Sequence, residues 1–264
     1  MKHGIYRGIA MTVAGSDSGG GAGIQADLKT FAALKLFGTT AITALTVQNS
    51  LGVTGIHNAP PEIIKAQILS VGKDFPLGAV KTGMLGSRET IYAVAEGLSE
   101  LKIKKIVVDP VMVAQSGDSL LAADAVEAVK SIIVPLALIV TPNLPEAEKL
   151  TGMTIRNVEE MKAAAWKIAK LGCGAVLVKG GHLAGEPETI TDVLLADGKM
   201  SLLSDRRIDT AANHGTGCTL SAAIAAELAA GCGLEEAVRR ARKYLRAGLL
   251  YGVTAGHGAG CLGH

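Results

Sequence analysis

The sequence has few aromatic residues and few cysteines. Only 3% of its 264 residues are aromatic, so Ala, Val, Ile and Leu must form the core, which is typical of helices that cover a buried parallel sheet. The four cysteines, Cys173, Cys218, Cys232 and Cys261, include no CxxC pair and no Cys/His cluster with zinc-ligand spacing. This pattern excludes a disulfide scaffold or a zinc finger, and it predicts reduced thiols in a cytoplasmic protein.

Long apolar runs and strong net charge are also missing. No segment reaches the roughly 18 apolar residues of a membrane span, and the formal net charge of +2 is spread without long like-charge runs. The sequence also lacks GxxxxGK[ST], which excludes the P-loop enzymes. We therefore expect small-molecule partners, and neither a nucleic acid nor a membrane.

What the sequence does contain is a regular alternation of strands and helices. Residues 9 to 14 form an apolar, β-prone run that is followed by a glycine-rich loop at 15 to 23 and then by apolar residues at helical spacing. The same unit recurs along the chain, which predicts a parallel sheet. Asp197-Gly198 lies between two further β-prone runs and predicts a hairpin. We expect one α/β domain over residues 1 to 264, with helices on both faces of a mainly parallel sheet and an antiparallel edge.

Polar residues follow several of the predicted strands. In a parallel sheet the loops after the carboxyl ends of the strands meet along one edge, where ligands bind. Each such residue could equally be a solvated loop residue or a helix cap, but the whole set predicts a site. Its members are Asp17, Asp27, Gln48, Asn49, Lys81, Asp109, Asn143, Glu146 and Lys179.

Residues 213 to 219, with the sequence NHGTGCT, stand directly before a long apolar helix. Glycines let the backbone approach an anion, and the first N–H groups of a helix have no partner inside the helix. The pattern predicts a phosphate site, although a glycine-rich helix start with Thr216 as the cap is the simpler interpretation. The loop at 15 to 23 is a second candidate for the phosphate site.

Seven motifs stand in order along the chain: AGSDSGGGAGIQAD at residues 14–27, TVQN at 46–49, KTGM at 81–84, VDPVM at 108–112, TPNLPEA at 141–147, KGGH at 179–182 and HGTGCT at 214–219. Together they resemble the hydroxymethylpyrimidine/phosphomethylpyrimidine kinases of thiamine biosynthesis, a branch of the ribokinase superfamily. The resemblance implies a ribokinase-like three-layer sandwich. It also implies two ATP-dependent phosphorylations, first of 4-amino-5-hydroxymethyl-2-methylpyrimidine and then of its monophosphate.

The resemblance also implies roles for individual residues. Gln48 matches the glutamine that binds the aminopyrimidine edge, and a carboxamide offers both a donor and an acceptor for this purpose. Gln48 could instead be a strand-end residue that faces water. The other residues implied to line the substrate pocket are Asp27, Gly15, Ala22 and Met84, of which Met84 could equally be part of the core.

ATP and Mg²⁺ are the implied cofactors. Lys179 matches the lysine that meets the ATP phosphates, with Asp109 near the metal and the phosphates, and Asn143 and Glu146 match an N-x-x-E pattern that holds Mg²⁺ through water. Glu146 could instead be an ordinary acidic residue in the first turn of a helix. Thr216, with Gly215 and Gly217, would hold the transferring phosphoryl group. The family also implies a homodimer.

Cys218 stands where many sugar kinases of the superfamily have a catalytic Asp. At a helix start beside bound cations we expect its thiol pKa to fall, so that the thiolate can act as a base on the substrate hydroxyl. A buried, inert thiol is the alternative. Two segments have the composition of closing loops, at residues 114–119 and 255–260.

Three other functions are compatible with parts of the sequence. A pyridoxal or pyridoxine kinase of the same branch would bind a related heterocyclic alcohol in the same pocket. A dinucleotide-dependent oxidoreductase would need an acidic residue at the end of the second strand, where Gln48 stands. A nucleotide-binding regulator without catalysis would have no use for Lys179, Asn143, Glu146 and the residues 215–218 together.

Overall fold

A computed structural model describes residues 5–112, 124–181, 183 and 188–264. The strands are β1 (Ile9–Asp17), β2 (Phe37–Asn49), β3 (Gly52–Asn58), β4 (Ala79–Thr82), β5 (Ile106–Val108), β6 (Ile139–Val140), β7 (Ala175–Val178), β8 (Thr189–Ala196) and β9 (Lys199–Arg206). The helices are α1 (Gly23–Ala33), α2 (Pro61–Asp74), α3 (Arg88–Glu100), α4 (Ala125–Ala128), α5 (Leu144–Thr151), α6 (Val158–Ala169), α7 (Thr216–Ala229) and α8 (Leu234–Leu250).

The strands form a single sheet in the order β3-β2-β1-β4-β5-β6-β7-β8-β9. The strands from β2 to β7 pair in parallel, and β8 and β9 complete one end of the sheet as an antiparallel hairpin. The predicted mainly parallel sheet with an antiparallel edge is therefore confirmed. The opposite edge is antiparallel too, because β3 folds back against β2.

Helices cover both faces of the sheet, which gives the predicted three layers. Alternate strand residues point to opposite faces, so Met11 and Val13 pack under α2 to α6, whereas Ala10 packs under α1, α7 and α8. Both faces of the strands are buried, which explains why these strands are continuously apolar in sequence. Helix α7 is buried along most of its length and brings its first turn to the middle of the sheet edge.

Local signals in the sequence agree with the structure at several turns. Asp197 and Gly198 both have positive φ, at 49° and 71°, as a two-residue hairpin turn of type I′ requires. Asn157 caps α6 by accepting a hydrogen bond from the Glu160 amide at 2.9 Å. The helix expected near residue 128 is short, because α4 gives way to a π turn and then to a 3₁₀ turn that contains Pro135.

Among the described residues, no helix combines the length and the apolar character that crossing a membrane requires.

Candidate active site

A cavity of about 410 Å³ opens at the carboxyl edge of the sheet. Its walls come from the loops that follow β1, β2, β4, β5, β6 and β7, together with the start of α7. Asn49 of the predicted edge set does not line it, but all except one of the residues with an implied role do: Gly15, Ala22, Gln48, Met84, Asp109, Asn143, Glu146, Lys179, Gly215, Thr216, Gly217 and Cys218.

Asp27 is the exception, and its predicted place in the pocket wall is wrong. Its carboxylate is fully buried below the cavity, where Lys81 Nζ donates to both of its oxygens at 2.8 and 2.9 Å and Thr12 donates to Oδ2 at 2.6 Å. Asp27 lies on the inner side of α1, one helical turn from Gly23, which is why it points into the core. It therefore reaches the cavity only through Lys81, which lies in the cavity wall.

Three amides of the first glycine loop already have a partner, the carboxylate of Asp17. The Asp17 carboxylate accepts from the Gly19 amide at 2.8 Å, from the Gly21 amide at 3.0 Å and from the Ala22 amide at 2.7 Å. Burial opposes the charge on Asp17, but His214 and these amides outweigh it and hold the Asp17 pKa below its usual value. The backbone of this loop therefore folds around the Asp17 carboxylate and forms one wall of the cavity.

The second glycine loop has the geometry of an anion site. Gly215 has a φ of 82°, and a Cβ at this position would lie 1.9 Å from the Gly21 carbonyl oxygen, so only glycine fits. Gly215 is also the N-cap of α7 and offers no side chain to the first-turn amides. Thr216 is the first helical residue and not the cap. The start of α7 therefore meets the cavity without a side-chain cap, as phosphate binding requires.

Lys179 brings a positive charge to this helix start. Its Nζ lies 3.2 Å from Asp109 Oδ1 and 4.0 Å from Glu146 Oε2. A Cβ on Gly217 would lie 3.3 Å from the same nitrogen, so the missing side chain lets the ammonium group approach α7 closely. Burial alone would lower the pKa of Lys179, but the two carboxylates outweigh it and the pKa is raised. Lys179 is therefore a cation at neutral pH.

Asn143 and Glu146 form a capping box at the start of α5. Asn143 Oδ1 accepts from the Glu146 amide at 2.9 Å, and Glu146 Oε2 accepts from the Asn143 amide at 2.8 Å. Both residues therefore have a structural task in addition to the predicted one, and the metal role of each stays a prediction. Burial raises the pKa of Glu146 to about 7, against the attraction of Lys179.

Cys218 lies in the first turn of α7 and faces the cavity. The expectation that its pKa falls is wrong. Burial raises the pKa of the thiol to about 11, although Lys81 and the Gly23 amide both favour the thiolate. Cys218 stands at a helix start, as predicted. Burial destabilises its thiolate more than the nearby Lys81 ammonium group stabilises it.

Gln48 and Met84 lie in the wall formed by the glycine loop and β2. The backbone of Gln48 is held by Ser18, whose hydroxyl donates to the Gln48 carbonyl at 2.7 Å and accepts from its amide at 2.9 Å. Thr46 Oγ1 lies 3.0 Å from Gln48 Oε1. A Cβ on Gly15 would lie 3.1 Å from the Met84 sulfur, so the absence of a side chain at Gly15 lets Met84 pack against the Gly15 backbone.

Several residues of the cavity wall had no individual predicted role, among them Thr46, Lys149 and His214. His214 Nε2 lies 3.2 Å from Asp17 Oδ2, so one carboxylate joins the two glycine loops. Lys81, a member of the predicted set of polar residues at the sheet edge, also lines the cavity. No local signal distinguishes Thr46 from the other threonines of β2.

The two predicted closing loops have different outcomes. Residues 114–119 lie outside the described part of the chain, as does His182 of the KGGH motif. The segment 255–260 packs on the β2–β3 turn, where the Gly258 and Ala259 amides donate to Ser50 at 3.2 and 3.1 Å. Its closure over the site stays a prediction.

No group of three or more His, Cys, Asp or Glu side chains in the described ranges is arranged to hold a metal ion. Asp109 and Glu146 nevertheless supply carboxylate oxygens beside Lys179. Mg²⁺ keeps several waters and is usually bound by one or two carboxylates together with substrate phosphates. The residues present therefore fit a Mg²⁺ ion that binds together with a nucleotide, and they do not form a complete protein cage.

The sequence is similar to those of known proteins over almost its whole length. Residues 17–263 match the family model described as phosphomethylpyrimidine kinase. The chain is 53% identical over 242 residues to a hydroxymethylpyrimidine/phosphomethylpyrimidine kinase of Rhizobium meliloti, and the match covers 91% of this chain and 90% of that protein. It is 48% identical over 259 residues to a thiamine biosynthesis bifunctional protein of Geobacter sulfurreducens, covering 98% of this chain. The chain spans 52% of that longer relative.

Solved structures show the same fold. A phosphomethylpyrimidine kinase of Clostridium difficile superimposes with a TM-score of 0.81 at 44% identity, covering 90% of this chain and 97% of that one. The ADP complex of a Bacillus subtilis pyridoxal kinase superimposes with a TM-score of 0.89 at 36% identity, covering 97% of each chain.

Proposed function

This chain belongs to the phosphomethylpyrimidine kinase family, and we propose that it transfers the γ-phosphoryl group of ATP to 4-amino-5-hydroxymethyl-2-methylpyrimidine and then to the resulting monophosphate. One observation carries the proposal. A carboxamide suited to an aminopyrimidine edge, on Gln48, opens into the same cavity as the uncapped start of α7 and the Lys179 ammonium group. Recognition of the ring and neutralisation of the phosphates thus meet in one site.

The described residues account for the main requirements of phosphoryl transfer. The transition state is loose and spreads charge over the phosphoryl oxygens, so positioning and charge neutralisation matter more than covalent chemistry. Lys179 and the amides of the first turn of α7 bind these oxygens. Asp109 orients Lys179 by accepting its hydrogen bond at 3.2 Å. Gly217 leaves space beside the Lys179 ammonium group, and Gly215 allows the close contact with the Gly21 carbonyl that positions the start of α7.

Mg²⁺ would be held by Asp109 and Glu146, with Asn143 as a contact through water, and it would supply further charge neutralisation on the ATP phosphates. Glu146 has its Oε1 left for this task, because Oε2 accepts from the Asn143 amide. Burial raises the Glu146 pKa to about 7 even beside Lys179, so a bound divalent cation would favour the carboxylate form further.

Cys218 is the side chain placed to take the proton of the acceptor hydroxyl. With a pKa of about 11 the free enzyme holds roughly one thiolate in 10⁴ at neutral pH. Little deprotonation is needed before a loose transition state, so the proton can leave late. The acceptor of the second reaction is already an anion, and we expect Cys218 to contribute less to that step.

The remaining parts of the proposal concern the assembly and its location. Three large apolar side chains on the β2–β3 hairpin are exposed, Leu45 by 54%, Val47 by 65% and Ile56 by 43%, which supports a homodimer. Four free cysteines support a cytoplasmic location. Light scattering coupled to size exclusion tests the dimer directly.

The function is tested by offering hydroxymethylpyrimidine, its monophosphate and pyridoxal as separate acceptors. We expect ADP release with both pyrimidines, and ³¹P NMR should show the monophosphate and then the pyrophosphate. Lys179→Met should fold and lose turnover with every acceptor, which controls for a contaminating kinase. Turnover of pyridoxal with neither pyrimidine used would replace the proposal by its main alternative, a pyridoxal kinase.

A further inference from the structure

Thr46 shares one hydroxyl group between two neighbours in the cavity wall. Its Oγ1 lies 2.8 Å from the Ser16 carbonyl oxygen and 3.0 Å from Gln48 Oε1. A hydroxyl has one proton, and a backbone carbonyl can only accept. The proton therefore belongs to the shorter contact with Ser16, and Thr46 turns a lone pair toward the Gln48 side chain.

A lone pair facing the Gln48 carboxamide favours one of its two orientations. The oxygen and nitrogen of a carboxamide occupy similar space, so hydrogen bonding decides which of them lies where. The structure places Oε1 beside Thr46, where two acceptors meet once the hydroxyl proton goes to Ser16. With the two amide atoms exchanged, Nε2 donates to the hydroxyl and the conflict is removed. The Gln48 backbone is held on both sides by Ser18, so rotation of the side chain is the freedom that remains.

Resting on the proposed function, we propose that Thr46 is a specificity-determining residue that holds the Gln48 carboxamide with Nε2 toward Thr46 and Oε1 toward the amino group of the acceptor ring. An aminopyrimidine presents a donor, the amino group, next to an acceptor, the ring nitrogen. Oε1 accepts from the amino group, and the second Nε2 proton reaches the ring nitrogen. Thr46 thus selects the hydrogen-bonding pattern of the substrate without touching it.

The orientation discriminates against rings with the reversed pattern. In the 4-oxo analogue a carbonyl replaces the amino group and the adjacent ring nitrogen carries a proton, so an acceptor stands where the substrate has a donor. Bound in the same way, it would place its carbonyl against Oε1. A Gln48 side chain free to rotate could turn over and serve this analogue equally well. The ratio of the two affinities therefore reports how firmly the carboxamide is held.

The experiment measures dissociation constants of the amino substrate and the 4-oxo analogue by calorimetry, in the wild type and three variants. Thr46→Val keeps the shape and removes the hydroxyl, and Thr46→Ser restores the hydroxyl. Thr39→Val is the matched control, because Thr39 lies on the same strand, is buried, and donates to the Ala10 carbonyl of β1 at 3.2 Å without lining the cavity. Thermal unfolding of each variant checks that it folds.

We expect Thr46→Val to lower the preference for the amino ligand over the oxo ligand by about tenfold or more, the equivalent of one hydrogen bond. Thr46→Ser and Thr39→Val should keep the wild-type ratio. Equal weakening of both ligands in Thr46→Val would indicate a purely structural role and overturn the proposal, as would oxo binding that stays undetectable in this variant. A wild type that does not bind the amino substrate would count instead against the proposed function.

Discussion

The buried pair formed by Lys81 and Asp27 allows the most quantitative prediction. Both side chains are 0% exposed, and the Lys81 ammonium donates to both carboxylate oxygens at 2.8 and 2.9 Å. Lys81→Met keeps the length of the side chain and removes its charge. The substitution leaves the Asp27 carboxylate in the core with Thr12 as its remaining hydrogen-bond donor among the described contacts.

The expected loss of stability is large. Removing one partner of a buried pair costs about 3–5 kcal/mol, because the other charge stays buried without compensation. For a chain of this size each kcal/mol lowers Tm by roughly 2–4 °C, so Tm should fall by roughly 6–20 °C. Burial raises the pKa of Asp27, and without Lys81 nothing nearby offsets this effect fully. The folded variant should therefore keep a proton that the unfolded chain loses, so its deficit should grow as the pH rises.

Urea unfolding followed by circular dichroism at pH 5.5 and pH 8 measures both effects. Asp27→Asn combined with Lys81→Met should recover much of the loss, since no unpaired charge then remains. Lys65→Met is the control, because the Lys65–Glu96 pair has a similar N···O distance of 2.9 Å but is exposed, and we expect little change from it. A Lys81→Met variant as stable as this control, or a deficit that shrinks with rising pH, would refute the reasoning.

Three further predictions concern the cavity. Cys218→Ala should slow phosphorylation of the alcohol more than that of the monophosphate. The wild-type kcat/KM for the alcohol should rise with pH toward the thiol pKa of about 11, whereas the kcat/KM of the variant should not change with pH. An equal loss in both steps would contradict the role of Cys218 as a base. Glu146 has a pKa raised to about 7 in the fold, so its contribution to stability falls as the pH rises from 4.5 to 7, and Glu146→Gln should gain stability relative to the wild type between pH 5 and pH 8 in thermal denaturation. A difference that does not change with pH would contradict this. Gly215→Ala should lower kcat/KM by about 10²-fold, because the new Cβ would meet the Gly21 carbonyl and shift the start of α7. Gly152→Ala is the control, because Gly152 also has a positive φ, of 68°, but has open space around it. This variant carries a similar backbone strain and should retain activity.

Much of the fold follows from the sequence alone. The apolar periods predict β1, α1 and the long helices α7 and α8, and Asp197-Gly198 predicts the β8–β9 hairpin. These features depend on backbone preferences and on burial within a few neighbouring residues, which the sequence states directly. The ordered motifs also identify the family, because their residues and their order resemble those of the phosphomethylpyrimidine kinases, and the family model matches residues 17–263. The sequence thus predicts most of the functional residues that line the cavity, although it misplaces Asp27 and gives no role to Thr46, Lys149 or His214.

Only the tertiary structure decided what those residues can do. It showed that three amides of the first glycine loop donate to the Asp17 carboxylate, which favours the start of α7 as the phosphate site. It turned Asp27 into the core toward Lys81, and it reversed the expected direction of the Cys218 pKa. Each of these outcomes depends on how closely groups from distant parts of the chain approach and on how far they are removed from water. Local sequence does not encode those distances, because the packing of α1 and α7 against the sheet sets them.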